Sequence, residues 1–299
     1  MKHVLSARGR EWVNIQSPTA EELAEFVRMS ELRPDDAEYV AHSLRHLGIT
    51  VRPHYVLILI QVPVFDRTLR VTEGVSLFIV VRQNTLFTLH HEPIVGLDRM
   101  RQDIEGSVNR QDEYFGNSSA HLGLAIISRL YEDAFRKLDK LSKHIEIAED
   151  AVFQGNERKM VEEISFLTRD VMDFRNVIRA QTNLFTSMPE HSLLDPDTGM
   201  QWRRVHEQLL KMWDILEGLF ESAKELSSTN FTLLQHKENE LLRLLTVYSI
   251  IVIPMLVLTD PFFDPRAPDA TLVDDLVFWI VIGVLVISLV GILSRFRRR

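Results

Sequence analysis

Aspartates are concentrated in one short stretch near the end of the chain. From Thr259 to Asp275 the sequence carries five aspartates and a single cation, Arg266. The five are Asp260, Asp264, Asp269, Asp274 and Asp275. Carboxylate oxygens are hard ligands that suit cations such as Mg²⁺, and gathered negative charge raises the local concentration of cations. The stretch could therefore attract cations, although loop aspartates are as often only solvated charges.

Two apolar stretches without a charged residue flank these aspartates, Leu244 to Thr259 and Leu276 to Leu293. At about 1.5 Å per residue they cover roughly 24 and 27 Å as helices, close to the ~30 Å hydrocarbon thickness of a bilayer. We predict transmembrane helices at residues 244–259 and 276–294, joined by an acidic outer loop at 260–275. The alternative is a pair of buried helices in a soluble core.

Positive charges predict the orientation of these helices. Lys237 and Arg243 precede the first one, and the tail, residues 295–299, contains four arginines. Because Lys and Arg favour the cytoplasmic side, we expect a multi-pass protein of the inner (cytoplasmic) membrane with both termini in the cytoplasm. The acidic loop then lies outside.

Composition excludes several other classes of protein. A net charge of −8 argues against a nucleic-acid partner, and a chain without cysteine forms no disulfide or thiolate metal site. The sequence has no phosphate-binding loop, no Gly-x-Ser-x-Gly and no cluster with catalytic spacing. We therefore expect no enzyme and no cofactor. His42 and His46 could chelate zinc from one helix, but ordinary exposed helix residues are the simpler interpretation.

The first part of the chain, residues 1–118, is predicted to be an α+β cytoplasmic domain. Runs of β-branched and aromatic residues predict strands at Tyr55–Val64, Val75–Val81 and Thr85–His90, with a turn at 82–84. Shorter strands are predicted at 3–5 and 12–15, and helices at 18–29, 34–46 and 94–110.

Helical periodicity dominates from residue 119 onward. Residues 119–200 are predicted to form helical arms, namely two antiparallel amphipathic helices that turn at Gln154–Asn156, followed by a loop at 188–199. A stalk helix, residues 201–243, then continues into the first span as one helix of about 59 residues, near 90 Å. Its apolar positions Leu209, Leu216 and Ala223 repeat at close to 3.5 residues, which favours packing against the same helix of other subunits. A two-helix coil with tolerated polar positions is the alternative.

The run Asn239-Glu240-Leu241-Leu242-Arg243-Leu244-Leu245-Thr246, with Pro254 eight residues later, resembles the start of the pore helix in CorA-type divalent cation transporters. The order of parts is also similar over nearly the whole chain. This resemblance implies a CorA-like homopentamer in the lipid bilayer, in which the first span lines a central pore and the second packs outside. Divalent cations, Mg²⁺ above all, would be the transported or regulatory ions.

Two positions depart from the family's pattern. The family carries a Gly-Met-Asn triplet at the end of the first span, where an ungapped count from Pro254 places Phe263-Asp264-Pro265 in this chain. The family's regulatory carboxylate in the stalk falls on Arg204 by the same count. We therefore expect an altered selectivity filter and an altered regulatory site.

The family's phase assigns the residues that would line the pore. They are Asn239, Leu242, Leu245, Thr246, Ser249, Ile253 and Leu256. Asp260 and Asp264 would stand at the outer mouth, and the oxygens of Asn239 and Asp260 are the expected metal contacts. Leu and Ile in a span otherwise face lipid or neighbouring helices.

The sequence thus predicts a CorA-like channel or transporter for divalent metal cations, with Mg²⁺ as the expected ion. Two alternatives remain open. One is a membrane-anchored sensor or regulator that keeps the fold but does not conduct, and the other is a less selective cation channel.

Overall fold

The computed structural model describes residues 1–41, 47–66, 68, 70–194, 196–259, 279 and 283. For residues 196, 197 and 254–259 it describes the backbone but not the side chains. The chain divides into two compact units, Met1–Asn230 and Phe231–Arg299.

A six-stranded mixed sheet lies at the centre of the first unit. Its strands are β1 (Lys2–Ala7), β2 (Arg10–Gln16), β3 (Gly48–Arg52), β4 (Tyr55–Asp66), β5 (Val71–Val81) and β6 (Thr85–His90). Their order across the sheet is β1-β2-β6-β5-β4-β3, with β2 and β6 parallel and the other neighbours antiparallel. The predicted strands and the turn at 82–84 are confirmed, while β3 had not been predicted.

Helices cover both faces of this sheet. Alternate residues of β4 enter different cores because successive side chains of a strand point to opposite faces: Ile58 and Ile60 belong to one core and Leu57 and Leu59 to the other. The second core is closed by α1 (Ala20–Ser30) and α2 (Pro34–Ala41). Of the predicted helix 34–46, residues 42–46 lie outside the described part, and the suggested His42–His46 pair lies there too.

The first core is closed by α3 (Val95–Glu105), α4 (Val108–Phe115), α5 (Ser119–Ala151), α6 (Glu157–Arg179) and the first part of α7 (Pro196–Thr259). The two helices α3 and α4 replace the single helix predicted at 94–110. A π-helical turn, Val152–Asn156, joins α5 to α6, and Gly155 in it adopts φ 92°, where a Cβ atom would be strained. The predicted turn at Gln154–Asn156 is therefore confirmed in position.

The first part of α7 is buried by its own chain. Leu209 and Leu216 are fully buried in the first core, together with Trp202 and Met212. Our interpretation that the 3.5-residue repeat of Leu209 and Leu216 calls for a helix of another subunit is wrong for these positions. A periodic apolar stripe shows that a helix face is covered, but it does not show by which chain.

The long helix itself is confirmed. α7 comprises 64 residues and begins at Pro196, five residues before the predicted start, so the predicted loop 188–199 is shorter. Across the described part of the chain, no helix combines the length and apolar character required to cross a membrane. Of the predicted second span, 276–294, the structure describes only residues 279 and 283, so the two-span topology stays a prediction.

Candidate pore segment

Most described side chains of α7 beyond residue 240 are large and apolar, and many of them are exposed. Seven large side chains between 241 and 253 are 48–67% exposed. They are Leu241, Leu242, Leu244, Leu245, Tyr248, Ile250 and Ile253. At about 100° per residue these positions are spread around the helix. A helix that is apolar around its circumference requires an apolar environment such as lipid or other helices.

One side of this segment carries the predicted pore residues. Spacings of three and four residues place Asn239, Leu242, Thr246, Ser249 and Ile253 within about 80° of one another around the helix axis. We call these five residues the pore stripe. Leu245, which was also predicted to line the pore, falls about 40° outside the stripe by the same geometry. The helix therefore brings five predicted residues onto a single face.

Both hydroxyl groups in the pore stripe bond to their own helix. Thr246 Oγ1 donates to the carbonyl oxygen of Leu242 at 2.8 Å, and Ser249 Oγ donates to that of Leu245 at 2.9 Å. A hydroxyl oxygen that has donated its hydrogen keeps lone pairs that accept. Each hydroxyl thus presents an acceptor, which suits a cation or the hydrogens of its hydration water.

The same face continues toward the start of the second unit. Thr232 and Gln235 are exposed, and steps of three and four residues connect them to Asn239. Thr232 and Gln235 extend the polar part of this helix face by two more turns. Sequence reasoning did not include them because the resemblance that assigned the pore residues begins at Asn239. The signal was present in the spacing of the polar residues.

Other predicted site residues lie outside what the structure describes. Leu256 belongs to α7, but its side chain is not described, and Asp260 and Asp264 fall in the undescribed segment. Within the described residues, no three His, Asp or Glu side chains form a group that could hold a metal ion. The described part of the site therefore offers amide and hydroxyl oxygens on one helix face, and its carboxylates remain predictions.

Arg204, on which the ungapped count places the family's regulatory carboxylate, pairs within its own chain. Its Nη2 lies 3.3 Å from Glu132 Oε1 on α5, and the two side chains are 65% and 38% exposed. A guanidinium cannot ligate a cation. The structure thus supplies a partner for the positive charge at this position.

Comparisons with known proteins agree with this architecture. The sequence model of the family described as CorA-like Mg²⁺ transporter protein matches residues 8–298. The chain is 20% identical over 261 residues to the cobalt/magnesium transport protein CorA of Thermotoga maritima, covering 82% of this chain and 70% of that protein. It is 22% identical over 186 residues to the putative metal ion transporter YfjQ of Bacillus subtilis, covering 62% of this chain and 56% of YfjQ.

Solved structures confirm the fold. The complete structure of the CorA magnesium transporter from Methanocaldococcus jannaschii matches with a TM-score of 0.75, covering 98% of this chain and 92% of that chain at 19% identity. The α+β domain followed by one long helix is thus a CorA-like fold, as predicted.

Proposed function

The chain belongs to the CorA-like Mg²⁺ transporter protein family, and we propose that it passes divalent cations, with Mg²⁺ as the expected ion, through a pore at the centre of a homopentamer. Members of this family are membrane transporters and not enzymes, so the prediction of a non-enzymatic ion transporter is confirmed by membership. The pentamer, the pore residues and the placement in the inner membrane are parts of the proposal.

The observation that carries the proposal is the pore stripe on an otherwise apolar helix. Asn239, Thr246 and Ser249 place oxygen acceptors on the same face as Leu242 and Ile253. Repeated around an axis, such a face would alternate polar rings with apolar rings, and apolar constrictions gate by losing their water. From Leu244 to Ile253 the remaining sides of the helix are apolar, as required for contact with lipid or neighbouring helices.

A ring of amide and hydroxyl oxygens suits an ion that keeps its water. Mg²⁺ loses its hydration shell reluctantly and usually retains several waters when bound. Asn239 at the inner end could accept hydrogen bonds from the hydrated ion without replacing its shell. This mode of binding does not require the Gly-Met-Asn triplet, which this sequence lacks.

The acidic outer loop would raise the local concentration of cations at the pore entrance. Its five aspartates and Arg266 give each chain a charge of −4 there, so about −20 in a pentamer, which attracts cations to the entrance. The membrane potential adds about 2.3 kcal/mol per charge per 100 mV, and twice that for a divalent ion. Transport down this gradient needs neither a nucleotide nor covalent chemistry.

Uptake into proteoliposomes tests the proposal. We expect the purified chain to admit Mg²⁺ when the interior is negative, and Asp260→Asn to reduce uptake more than Asp269→Asn, which removes the same charge from the same loop. A chain that admits none of Mg²⁺, Zn²⁺, Co²⁺ or Ni²⁺ under any potential is not a transporter. Uptake of Na⁺ and K⁺ as fast as Mg²⁺, reduced equally by Asp260→Asn, would instead identify the less selective channel.

The departure at Phe263-Asp264-Pro265 favours a second candidate, a sensor that keeps the fold with a sealed pore. Ile253 and Leu256 would form the seal. In that case Ile253→Ser combined with Leu256→Ser should create cation uptake that the unchanged protein lacks. Uptake by the unchanged protein excludes this candidate.

A further inference from the structure

A basic cavity lies in the first unit, where α3, α5 and α6 meet the end of β4. Its volume is about 350 Å³. It is lined by Phe65, Arg99, Asp133, Arg136, Lys137, Lys140, Leu141, His144 and Asp170. We call it the α3–α5 cavity. Four Lys and Arg side chains face two aspartates, which leaves a net charge of +2 with the histidine neutral.

Close packing of two helices positions these cations. A Cβ atom on Gly96 would lie 2.8 Å from Asp133 Oδ2 and 3.0 Å from Leu130 Cδ2, so α3 approaches α5 closely only because residue 96 is glycine. Arg99 follows one turn later on α3. On α5, Arg136, Lys140 and His144 repeat every four residues, which places them on one side of that helix.

Two of the four charges are already neutralised. Arg136 Nη2 donates to Asp133 Oδ1. Lys137 Nζ lies 3.3 Å from Asp170 Oδ1 and stands over the rings of Phe65 and Phe174 at 4.7 and 5.0 Å. Asp170 also accepts a hydrogen bond from the hydroxyl of Thr72. Both aspartates of the cavity thus have cationic partners.

The other two charges have no such partner in the part of the chain that the structure describes. Among the described residues, no ion pair engages Arg99 or Lys140, although both line the cavity. Both side chains are exposed and therefore reachable from solvent. Charged groups of one sign around a concave site bind small ions of the opposite sign, and Arg is the side chain whose planar fork matches phosphate.

We propose that the α3–α5 cavity binds a phosphorylated small molecule of pyrophosphate to nucleotide size. Its volume falls in the range of small-ligand sites, about 300–1,000 Å³. Arg99 and Lys140 contact the phosphate oxygens, and Phe65 with Leu141 forms an apolar wall for the remainder of the ligand. None of the residues that line this cavity belongs to the pore stripe, so the site stands or fails independently of the proposed transport.

Calorimetric titration of the full-length protein in detergent tests this site, with sodium pyrophosphate and sodium ATP as probes and Mg²⁺ absent. We expect both to bind, and Arg99→Gln and Lys140→Gln each to weaken binding about tenfold, as for loss of one charge-assisted hydrogen bond. Lys143→Gln is the matched control, since Lys143 is exposed on α5 but does not line the cavity. It should change the affinity less than about twofold.

The outcomes separate the site from general electrostatic attraction. Binding that Lys143→Gln weakens as much as Lys140→Gln does would show only an unspecific effect of net charge and would overturn the proposal. The absence of heat with either probe at millimolar concentration would overturn it as well. Because Arg99 and Lys140 are exposed, circular dichroism should show that all three variants fold as the unchanged protein does.

Discussion

Replacing Arg175 by alanine should loosen the contact between α6 and the buried first part of α7. The guanidinium is bidentate to Glu217 on α7, with Nε 2.7 Å from Oε2 and Nη2 3.0 Å from Oε1. The same group stands over the rings of Trp213 and Phe220, at 5.2 and 4.8 Å from their centroids. One side chain of α6 thus makes four contacts with one helix.

The magnitude follows from these contacts and their exposure. The Arg175 and Glu217 side chains are 22% and 40% exposed, so solvent screening limits the ion pair to about 1 kcal/mol. Each ring contact of a cation adds ~0.5 to 1 kcal/mol. We expect Arg175→Ala to lower the free energy of unfolding by about 2 kcal/mol, which lowers the melting temperature by roughly 4 to 8 °C in a domain of this size.

Thermal unfolding of the full-length protein in detergent, followed by tryptophan fluorescence, measures this change. Arg175→Lys keeps the charge but loses the planar fork. It should lower the free energy of unfolding by about half as much as Arg175→Ala does. Arg179→Ala is the matched control, because Arg179 is exposed at the last turn of the same helix and should shift the unfolding free energy by under ~0.5 kcal/mol. Equal melting temperatures for Arg175→Ala and Arg179→Ala would refute the reasoning.

Three further predictions concern the core, the pH dependence and the pore. Leu209→Ala should cost about 2 to 5 kcal/mol of stability by opening a cavity, whereas Leu210→Ala, at a position 42% exposed, should cost under ~1 kcal/mol; equal losses would contradict the burial. A hydrogen bond from Arg52 holds the pKa of the Asp36 carboxyl below its usual range, so its stabilisation is complete above about pH 5 and is lost as pH falls through the lowered folded-state pKa. Asp36→Asn should therefore flatten the decline of the melting temperature between about pH 5 and pH 3, and an unchanged decline would exclude this pair as its cause. Asn239→Leu should reduce Mg²⁺ uptake at least about tenfold, the effect of losing roughly 1.4 kcal/mol of ion binding, and undiminished uptake would remove Asn239 from the ion path.

Strand positions could be predicted from the sequence because the local signals agree with the tertiary structure. β6 spans Thr85–His90, as its β-branched and aromatic residues predicted. Arg82 N donates to the carbonyl oxygen of Thr85 in the hairpin turn before it. β3 was missed because its five residues, GITVR, are short and mostly half-buried at the edge of the sheet. An edge strand of that length has a weak signal of its own.

What covers a helix could not be predicted from its sequence. The repeat of Leu209 and Leu216 is the same whether a neighbouring subunit or the chain itself covers it, and the structure shows that the chain does. For the pore stripe, the spacing of Asn239, Thr246 and Ser249 was sufficient to place them on one face. Thr232 was missed because it precedes the predicted span, where the spacing of three and four residues was not applied to polar residues.

Cysteine scanning of α7 tests most directly whether the pore stripe faces water, and the natural chain contains no cysteine that could interfere. Single cysteines at Thr246, Ser249 and Ile253 should react with a charged, membrane-impermeant thiol reagent in proteoliposomes and lose Mg²⁺ uptake on reaction. Cysteines at Leu244 and Tyr248, on the opposite side of the helix, should remain unmodified and active. Reaction and block at 244 and 248 with protection at 246, 249 and 253 would contradict the proposed pore.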